Sequence, residues 1–172
     1  MVPSDIDERL EGAPSEETVA ALALAKARAV ATHVRDGVVL GADTVVVLDG
    51  VALGKPVDAA DARSMLRRLR GRAHDVITGV AVVEAETGRA EATAAVTRVT
   101  MADVGDDVIE AYVASGEPSD KAGAYAIQGR GGALVAGFSG SYSNVIGLPL
   151  AATARLLRRF GVEVSEPGDS ET

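Results

Sequence analysis

Apolar and polar residues alternate along the chain in blocks that predict helices and strands in mixed order. Ser15 is a candidate N-cap, followed by Glu16 and Glu17 in a first turn where a helix favours acidic residues. The Ala-rich run over residues 19–34 then predicts a helix, which Asp36-Gly37 ends. Its core-facing residues are expected to be Leu22, Leu24, Ala25 and Ala29.

Two pairs of strands follow from the pattern. The nearly continuous apolar run over residues 38–48 predicts a buried strand, and Asp49-Gly50 predicts a tight hairpin turn into a short strand at 51–53. Two longer strands are expected at about 74–85 and 90–102, joined by a turn at 86–88. Asp58 is expected to cap the helix between these pairs, which ends near Arg70.

The second half of the chain is less periodic. Asp106 is expected to open a helix that runs to about Ser115, and Pro149 to start a last helix that ends near Phe160. Residues 119–150 contain seven glycines and several small hydroxyl residues, without a helical period. The pattern therefore predicts one domain over residues 1–164, of the α/β or α+β class with a mixed sheet, and a disordered tail over residues 165–172.

Composition narrows the class of protein. The formal net charge is −8, which disfavours a nucleic-acid binder because such proteins carry a basic face. Cysteine is absent, so disulfides, thiolate chemistry and cysteine zinc sites are excluded, and this fits a reducing cytoplasm. The sequence shows neither a signal peptide nor a long apolar run, so we expect no membrane partner.

Asp43 is the sharpest anomaly of the chain, because it interrupts the apolar run that predicts a central strand. An ionised carboxylate is costly there unless it is paired, hydrogen-bonded or bound to a metal. One interpretation is a strand kink at Gly41, where Asp43 would cap local N–H groups. The other is a general base or metal ligand at the mouth of the sheet.

Lysines and further acids are the remaining candidates. Lys55 stands in a Gly-Lys-Pro sequence, and Lys26 lies in an apolar, Ala-rich helix. Each is either a solvated surface lysine or a phosphate contact. Glu8 belongs to an acidic cluster with Asp5 and Asp7, which is either a solvated terminus or a source of ligands.

Established motifs exclude several mechanisms. The chain contains no Walker A loop, no GxGxxG fingerprint and no GxSxG nucleophile elbow. His33 and His74 are the two histidines, and neither has a second ligand at zinc spacing. The glycine-rich segment could bring backbone N–H groups close to an anion, or simply close a sheet edge. Acids, lysines and such a segment together favour metal-assisted attack of water on a phosphate ester or anhydride.

The order of these blocks resembles the Maf (septum formation protein) family of nucleoside triphosphate pyrophosphatases. The resemblance covers nearly the whole chain, and its last two blocks are long and specific. The matching blocks are SDIDE at 4–8, LALAKA at 22–27, GADTVV at 41–46, GKP at 54–56, HDVITGV at 74–80, DKAGAYAIQG at 120–129 and GSYSNVIGLPL at 140–150.

The resemblance implies an elongated α/β domain of the Maf and inosine triphosphatase type, with a mixed, twisted sheet flanked by helices and a nucleotide cleft. It implies hydrolysis of a nucleoside triphosphate to the monophosphate and pyrophosphate, with a divalent cation, Mg²⁺ or Mn²⁺. From the sequence we expect a cytoplasmic location, and a homodimer is left open.

Carried over by position, the resemblance makes Asp43 the proton acceptor and, with Glu8, a metal ligand. Thr44 and Gln128 match positions linked to substrate choice. The ADT and AIQG sequences are similar to the subfamily that acts on dTTP and UTP. Lys26, Lys55 and Lys121 match substrate-binding positions, with Lys121 following Asp120. Lysines and metal would offset triphosphate charge, and the Gln128 amide would read a base edge.

The beginning of the chain departs from the family pattern. The family normally starts with a strand, an arginine-bearing S-x-S-P-R-R-type loop and a helix, whereas this sequence starts at the SDIDE block. We therefore expect a continuation upstream of Met1. The alternative function is a catalytically impaired relative that binds a nucleotide or a protein partner. An unrelated sugar- or phosphate-binding α/β domain is a third interpretation.

Overall fold

The computed structural model describes residues 14–165, so Glu8 and most of the predicted tail lie outside the described residues. Five helices are α1 (Glu16–Ala31), α2 (Ala59–Leu69), α3 (Asp106–Ala114), α4 (Tyr142–Ile146) and α5 (Leu150–Arg159). Five strands are β1 (Val38–Leu48), β2 (Val51–Leu53), β3 (Ala73–Glu84), β4 (Ala90–Met101) and β5 (Val135–Ser139). Short 3-10 helices cover Glu117–Asp120, Ala122–Ala124 and Gly129–Leu134.

Local signals in the sequence place most element ends. The Ser15 hydroxyl accepts a hydrogen bond from the N–H of Thr18 at 3.2 Å, and α1 begins directly after it. The Asp58 carboxylate accepts from the N–H of Asp61 at 2.8 Å at the start of α2. These contacts confirm the two predicted N-caps.

The predicted hairpin after β1 is also confirmed. Asp49 and Gly50 have φ angles of 52° and 77°, the left-handed conformations that a tight type I′ turn requires at both central positions. β1 then pairs antiparallel with β2, with Val46 opposite Leu53.

The five strands form one sheet in the order β2-β1-β3-β4-β5. β4 and β5 are antiparallel, with Arg98 opposite Ser139. The α/β class and the sheet flanked by helices, as predicted from the sequence, are thereby confirmed. No helix within residues 14–165 is long and apolar enough to cross a membrane.

The described residues divide into two compact units. Unit 1 contains the chain up to Thr44, Ile77–Val96 and the chain from Ser141 onward. Unit 2 contains Val45–Val76 and Thr97–Gly140. β1, β3 and β4 contribute residues to both units. That residues 1–164 form a single domain stays a prediction.

Unit 1 is a sheet covered by a helix on each face. Successive residues of a strand point to opposite faces, and β3 shows this alternation clearly. Ala81 and Val83 pack against Ala23 and Ala27 of α1, whereas Val80 and Val82 pack against Ala152 and Leu156 of α5.

The buried face of α1 differs from the predicted one. Val19, Ala23 and Ala27 are its buried residues, whereas Ala25 is exposed. The helix is apolar on nearly every side, so its sequence gives no stripe that identifies the inner face. The contacts with the sheet decide it, because the glycines of β1 and β3 let the backbone of α1 come close at Ala23 and Val19.

Unit 2 has its core between its part of the sheet and the helices α2 and α3. Its largest fully buried side chains are Leu66, Leu69, Ile109, Leu134, His74, Val76 and Val99. Arg63 of α2 donates to the Glu110 carboxylate of α3 at 2.6 Å, at a partly exposed site.

The glycine-rich segment contains more regular structure than its sequence pattern predicts. Two of the three 3-10 helices, β5 and α4 all lie within residues 119–150. None of these elements is long enough to show a helical or strand period. The predicted last helix is present, but Pro149 is its N-cap and Leu150 its first residue.

Candidate active site

The carboxylate of Asp43 lies on β1, where its side chain is mostly buried. Lys26 of α1 forms an ion pair with it through Nζ and Oδ1. The side chains of both residues are 13% exposed. A buried carboxylate is expensive without a partner, so the lysine explains why an aspartate is tolerated in an apolar strand. An adjacent ammonium favours the ionised carboxylate, which is the form that accepts a proton.

Gly41 lies within a continuous strand, and the interpretation in which Asp43 caps local N–H groups stays a prediction. β1 is continuous from Val38 to Leu48, and Gly41 makes room for α1. A Cβ at this position would lie 2.7 Å from the carbonyl oxygen of Ala23 and 2.8 Å from the Cβ of Ala27. The close approach of α1 at Gly41 brings Lys26 to Asp43, which follows two residues later on the same face.

Thr44 is held by a chain of hydroxyl contacts in unit 1. Its Oγ1 lies 2.9 Å from the Oγ1 of Thr78, which in turn donates to the carbonyl oxygen of Asn144 at 3.0 Å. A carbonyl can only accept, so the single hydroxyl proton of Thr78 is used there. The Thr44 hydroxyl therefore donates to Thr78 and retains only acceptor capacity for another group.

Asp43 and Thr44 point to opposite faces of the sheet. Asp43 and Gly41 face α1. Thr44 faces Thr78 and Gly147, and a Cβ added to Gly147 would lie 3.3 Å from the Thr44 hydroxyl. This follows from the two-residue period of a strand. The structure thus brings Lys26 to Asp43, but it does not bring Thr44 to either of them. Substrate contact by Thr44 stays a prediction.

Two serines of the glycine-rich segment accept hydrogen bonds from nearby backbone N–H groups. Ser141 Oγ accepts from the N–H of Asn144 at 3.2 Å, and this contact caps α4. Ser143 Oγ accepts from the N–H of Leu150 at 3.1 Å, at the start of α5. These two hydroxyls therefore satisfy helix ends, a role that the residue types themselves favour.

Two predicted lysines of unit 2 lie near one carboxylate. Lys121 Nζ is 2.8 Å from both carboxylate oxygens of Asp120. This hydrogen bond is the main reason that the pKa of Asp120 lies below its ordinary value, and Lys55 adds a weaker attraction. The backbone N–H of Gly123 donates to the carbonyl oxygen of Gly54 at 3.0 Å. That bond holds the loop of Lys55 beside the segment that carries Lys121.

Gln128 lies in an extended backbone conformation, with φ −95° and ψ 168°, and it is exposed. Among the side-chain hydrogen bonds of residues 14–165, none uses its amide. The amide can offer one acceptor and two donors to a ligand. Its segment departs from ordinary backbone geometry, because Ala124 is fully buried at φ 60°, a conformation that residues other than glycine adopt rarely.

A buried pair of aromatic rings lies below this segment. His74 Nε2 and Tyr125 Oη are 2.7 Å apart, and their ring planes are nearly perpendicular. Burial lowers the pKa of His74 to about 4, against a smaller opposing effect from Asp75. Burial also raises the pKa of Tyr125. Both side chains are therefore neutral near pH 7, and they act as a structural support.

The described donors suit a cation that is shared with a substrate. Within residues 14–165, no three Asp, Glu, His or Cys side chains are close enough to form a metal site. Asp43 offers a carboxylate, the ligand type that Mg²⁺ and Mn²⁺ favour. Mg²⁺ commonly takes one or two protein carboxylates together with substrate phosphates, and Asp43 fits that mode better than an all-protein cage.

Comparison with known proteins decides the family. A family model described as Maf-like protein matches residues 1–160. The chain belongs to the Maf-like protein family. The family resemblance read from the sequence blocks is confirmed.

Several curated relatives share more than half of their aligned residues with this chain. A dTTP/UTP pyrophosphatase of Moorella thermoacetica is 57% identical over 163 residues, which are 94% of this chain and 84% of the relative. A protein of the same name from Nitratidesulfovibrio vulgaris is 54% identical over 159 residues, 92% of this chain and 75% of the relative. A third protein of this name, from Anaeromyxobacter dehalogenans, is 56% identical over 162 residues, which are 92% of this chain and 81% of the relative.

Sequence reasoning missed three residues that hold candidate residues in place within their own units. Thr78 orients Thr44, Tyr125 supports the segment of Gln128, and Tyr112 contacts that segment from α3. A signal for Thr78 exists, because a hydroxyl residue within the apolar run VITGV is the same kind of anomaly as Asp43. Tyr112 has no comparable signal, because a tyrosine in an amphipathic helix usually belongs to the core.

Proposed function

We propose that this chain hydrolyses nucleoside triphosphates to the monophosphate and pyrophosphate, with dTTP and UTP as its preferred substrates. The observation that supports a catalytic role most directly is the ion pair of Lys26 with Asp43 on an otherwise apolar strand. Membership of the Maf-like family and the names of the relatives support the reaction and the two nucleotides.

In the proposed reaction, water attacks the α-phosphorus and the bond from that phosphorus to the α,β-bridging oxygen breaks. Asp43 accepts a proton from the attacking water, because its ionised carboxylate is a base held in a fixed direction by Lys26. The α,β-bridging oxygen leaves as part of pyrophosphate. A general base and positively charged groups are sufficient for this reaction, because phosphoryl transfer depends on positioning and electrostatic stabilisation more than on a covalent nucleophile.

Positive charge that offsets the triphosphate has two proposed sources. Lys55 and Lys121 would contact phosphate oxygens, and such contacts favour every nucleotide equally because they do not touch the base. Asp43, together with Glu8, would hold a divalent cation, which neutralises phosphate charge when bound. A cytoplasmic location and a homodimer stay predictions from the sequence.

Gln128 is the proposed base reader. Its amide can donate and accept at the same time, as one edge of thymine or uracil requires. An amide held in one orientation pairs well with that edge, whereas a purine or cytosine edge places its donors and acceptors differently and leaves part of the amide unpaired, at a cost of about 1–3 kcal/mol once the nucleotide has excluded water. Gln128→Ala should therefore compress the preference among nucleotides while the metal requirement remains.

Turnover by the purified chain tests this function. Release of monophosphate and pyrophosphate from dTTP, UTP, dCTP, ATP and GTP would be followed by ion-exchange chromatography, with Mg²⁺ or Mn²⁺. We expect turnover that is fastest with dTTP and UTP, and a loss of at least about 10²-fold in Asp43→Asn, the scale of general-base catalysis.

Asp49→Asn is the matched control. It makes the same carboxylate-to-amide change just after β1, at an exposed residue that pairs with Arg72. We expect it to keep normal turnover. Nucleotide binding in a calorimeter without any turnover would contradict the proposal and favour a non-catalytic nucleotide-binding protein.

A further inference from the structure

Gln128 lies in a part of unit 2 where the backbone is fixed closely on both sides. The residue follows the 3-10 helix at Ala122–Ala124 and immediately precedes the one at Gly129–Leu134. Its own side chain is not buried, so packing gives it little guidance. A side chain that discriminates between bases must be held to within a fraction of an ångström. The orientation of the Gln128 amide must therefore be determined by the groups that bind the backbone on either side of it.

Tyr112 holds the backbone before Gln128. Its ring is buried, and its hydroxyl accepts a hydrogen bond from the N–H of Ala126 at 3.2 Å. Gly131 closes the loop against the same group. A Cβ at Gly131 would lie 2.2 Å from the carbonyl oxygen of Ala126 and 2.7 Å from the hydroxyl of Tyr112. Only glycine fits at position 131, so the backbone at Ala126 and at Gly131 lies close to the Tyr112 hydroxyl.

Glu117 holds the backbone after Gln128. Its Oε1 accepts from the N–H of Arg130 at 3.4 Å, in the first turn of the following 3-10 helix. Gly129 lies against the same carboxylate, since a Cβ there would be 3.3 Å from Oε2. Gln128 is the N-cap of that helix and makes no capping bond with its side chain. Glu117 takes over part of the capping role, which leaves the Gln128 amide to a ligand.

We infer that Tyr112 and Glu117 are positioning residues for Gln128 and thereby set the nucleotide preference of the enzyme. They bind the backbone two residues before and two residues after Gln128. Tyr112 belongs to α3, and Glu117 is the first residue of the 3-10 helix that follows it. Misdirection of the amide weakens its pairing with a favoured base and leaves phosphate contacts unchanged. The inference rests on the proposed function of Gln128.

The measurement is the ratio of kcat/KM for dTTP to kcat/KM for ATP in each variant. Tyr112→Phe removes only the hydroxyl, and Glu117→Ala removes the carboxylate. We expect each to lower the ratio by about threefold to tenfold, the equivalent of one hydrogen bond. Glu117→Gln keeps an acceptor oxygen and should restore most of the ratio. A loss of folded protein cancels in this ratio, so a purely structural effect leaves it unchanged.

Two controls match the chemistry of these changes. Tyr142→Phe removes another phenol hydroxyl, and Glu110→Gln neutralises a carboxylate on α3 that pairs with Arg63. Both should keep the parent ratio. In a chain that already carries Gln128→Ala, adding Tyr112→Phe should lower the ratio no further, because the side chain that it positions is gone.

The outcomes separate this inference from the proposed function. Absence of turnover, or an unchanged ratio in Gln128→Ala, contradicts the proposed role of Gln128 and this inference with it. A compressed ratio in Gln128→Ala beside an unchanged ratio in Tyr112→Phe and Glu117→Ala overturns the positioning role alone. A further fall when Tyr112→Phe is added to Gln128→Ala would also overturn it, because Tyr112 would then act on another contact.

Discussion

Replacement of Gly41 by alanine should disturb both the stability of the fold and the ion pair of the candidate active site. The added Cβ would lie 2.7 Å from the carbonyl oxygen of Ala23 and 2.8 Å from the Cβ of Ala27. Both contacts are with α1, on either side of Lys26. The neighbouring atoms are backbone and a Cβ, so no flexible side-chain end can move aside.

The size of the effect follows from these distances. Ordinary contacts begin at 3.4 Å, so the Ala23 carbonyl must retreat by about 0.7 Å, and α1 must move with it. Overpacking of this kind costs about 1–3 kcal/mol. Because Lys26 moves with α1, its contact with the Asp43 carboxylate should weaken and turnover should fall as well.

Urea unfolding followed by circular dichroism is the suitable assay, since the chain has no tryptophan to report by fluorescence. With a urea dependence of about 2 kcal/mol/M, the expected cost lowers the midpoint by about 0.5–1.5 M. Gly137→Ala is the matched control, because a Cβ on Gly137 of β5 meets nothing within 4 Å. Equal midpoints for the two variants would refute the close-approach argument.

Three further predictions follow from the described contacts. His74 has a pKa of about 4 because it is buried, against an ordinary value of 6.5, so the unfolded chain binds more protons between these values. The contribution of His74 to the free energy of unfolding is therefore complete above pH 6.5, and about 3 kcal/mol of it is lost as the pH falls toward 4. The free energy of unfolding should differ less between pH 7 and pH 4.5 in His74→Gln than in the parent chain. In the control His33→Gln, which changes an exposed histidine, that difference should equal the parent's. Equal differences in all three chains would contradict the prediction. Thr78→Val should lower the melting temperature through a loss of about 1–3 kcal/mol in the free energy of unfolding, because it removes the hydrogen bonds of the Thr78 hydroxyl with the Asn144 carbonyl and with Thr44, whereas Thr78→Ser should not; equal melting temperatures would exclude the hydroxyl chain. Lys55→Ala should raise KM for every nucleotide by the same factor in steady-state assays, and a base-dependent change would show that Lys55 is not a phosphate contact.

Elements whose ends are determined by neighbours a few residues away could be predicted from the sequence. Ser15 and Asp58 cap helices through contacts three residues along the chain, and Asp49-Gly50 forms a turn from its own backbone preferences. The observed bounds of β1 are those that its apolar run predicts. These features need no information from distant residues.

The inner face of α1 required the tertiary structure. Its sequence is apolar on nearly every side, so several faces would bury similar area. Gly41 and Gly79 decide between them, because the helix can come close only where neither strand carries a side chain. A Cβ at Gly79 would lie 2.4 Å from the carbonyl oxygen of Val19.

The site divides in the same way. By itself the sequence marked Asp43 as a carboxylate in need of a partner, and the order of its blocks determined the family. Only the tertiary structure decided that the partner is Lys26, 17 positions earlier, and that Thr44 faces the other side of the sheet. The physical reason is that a local pattern states what a residue requires, whereas the packing of distant elements determines which group meets that requirement.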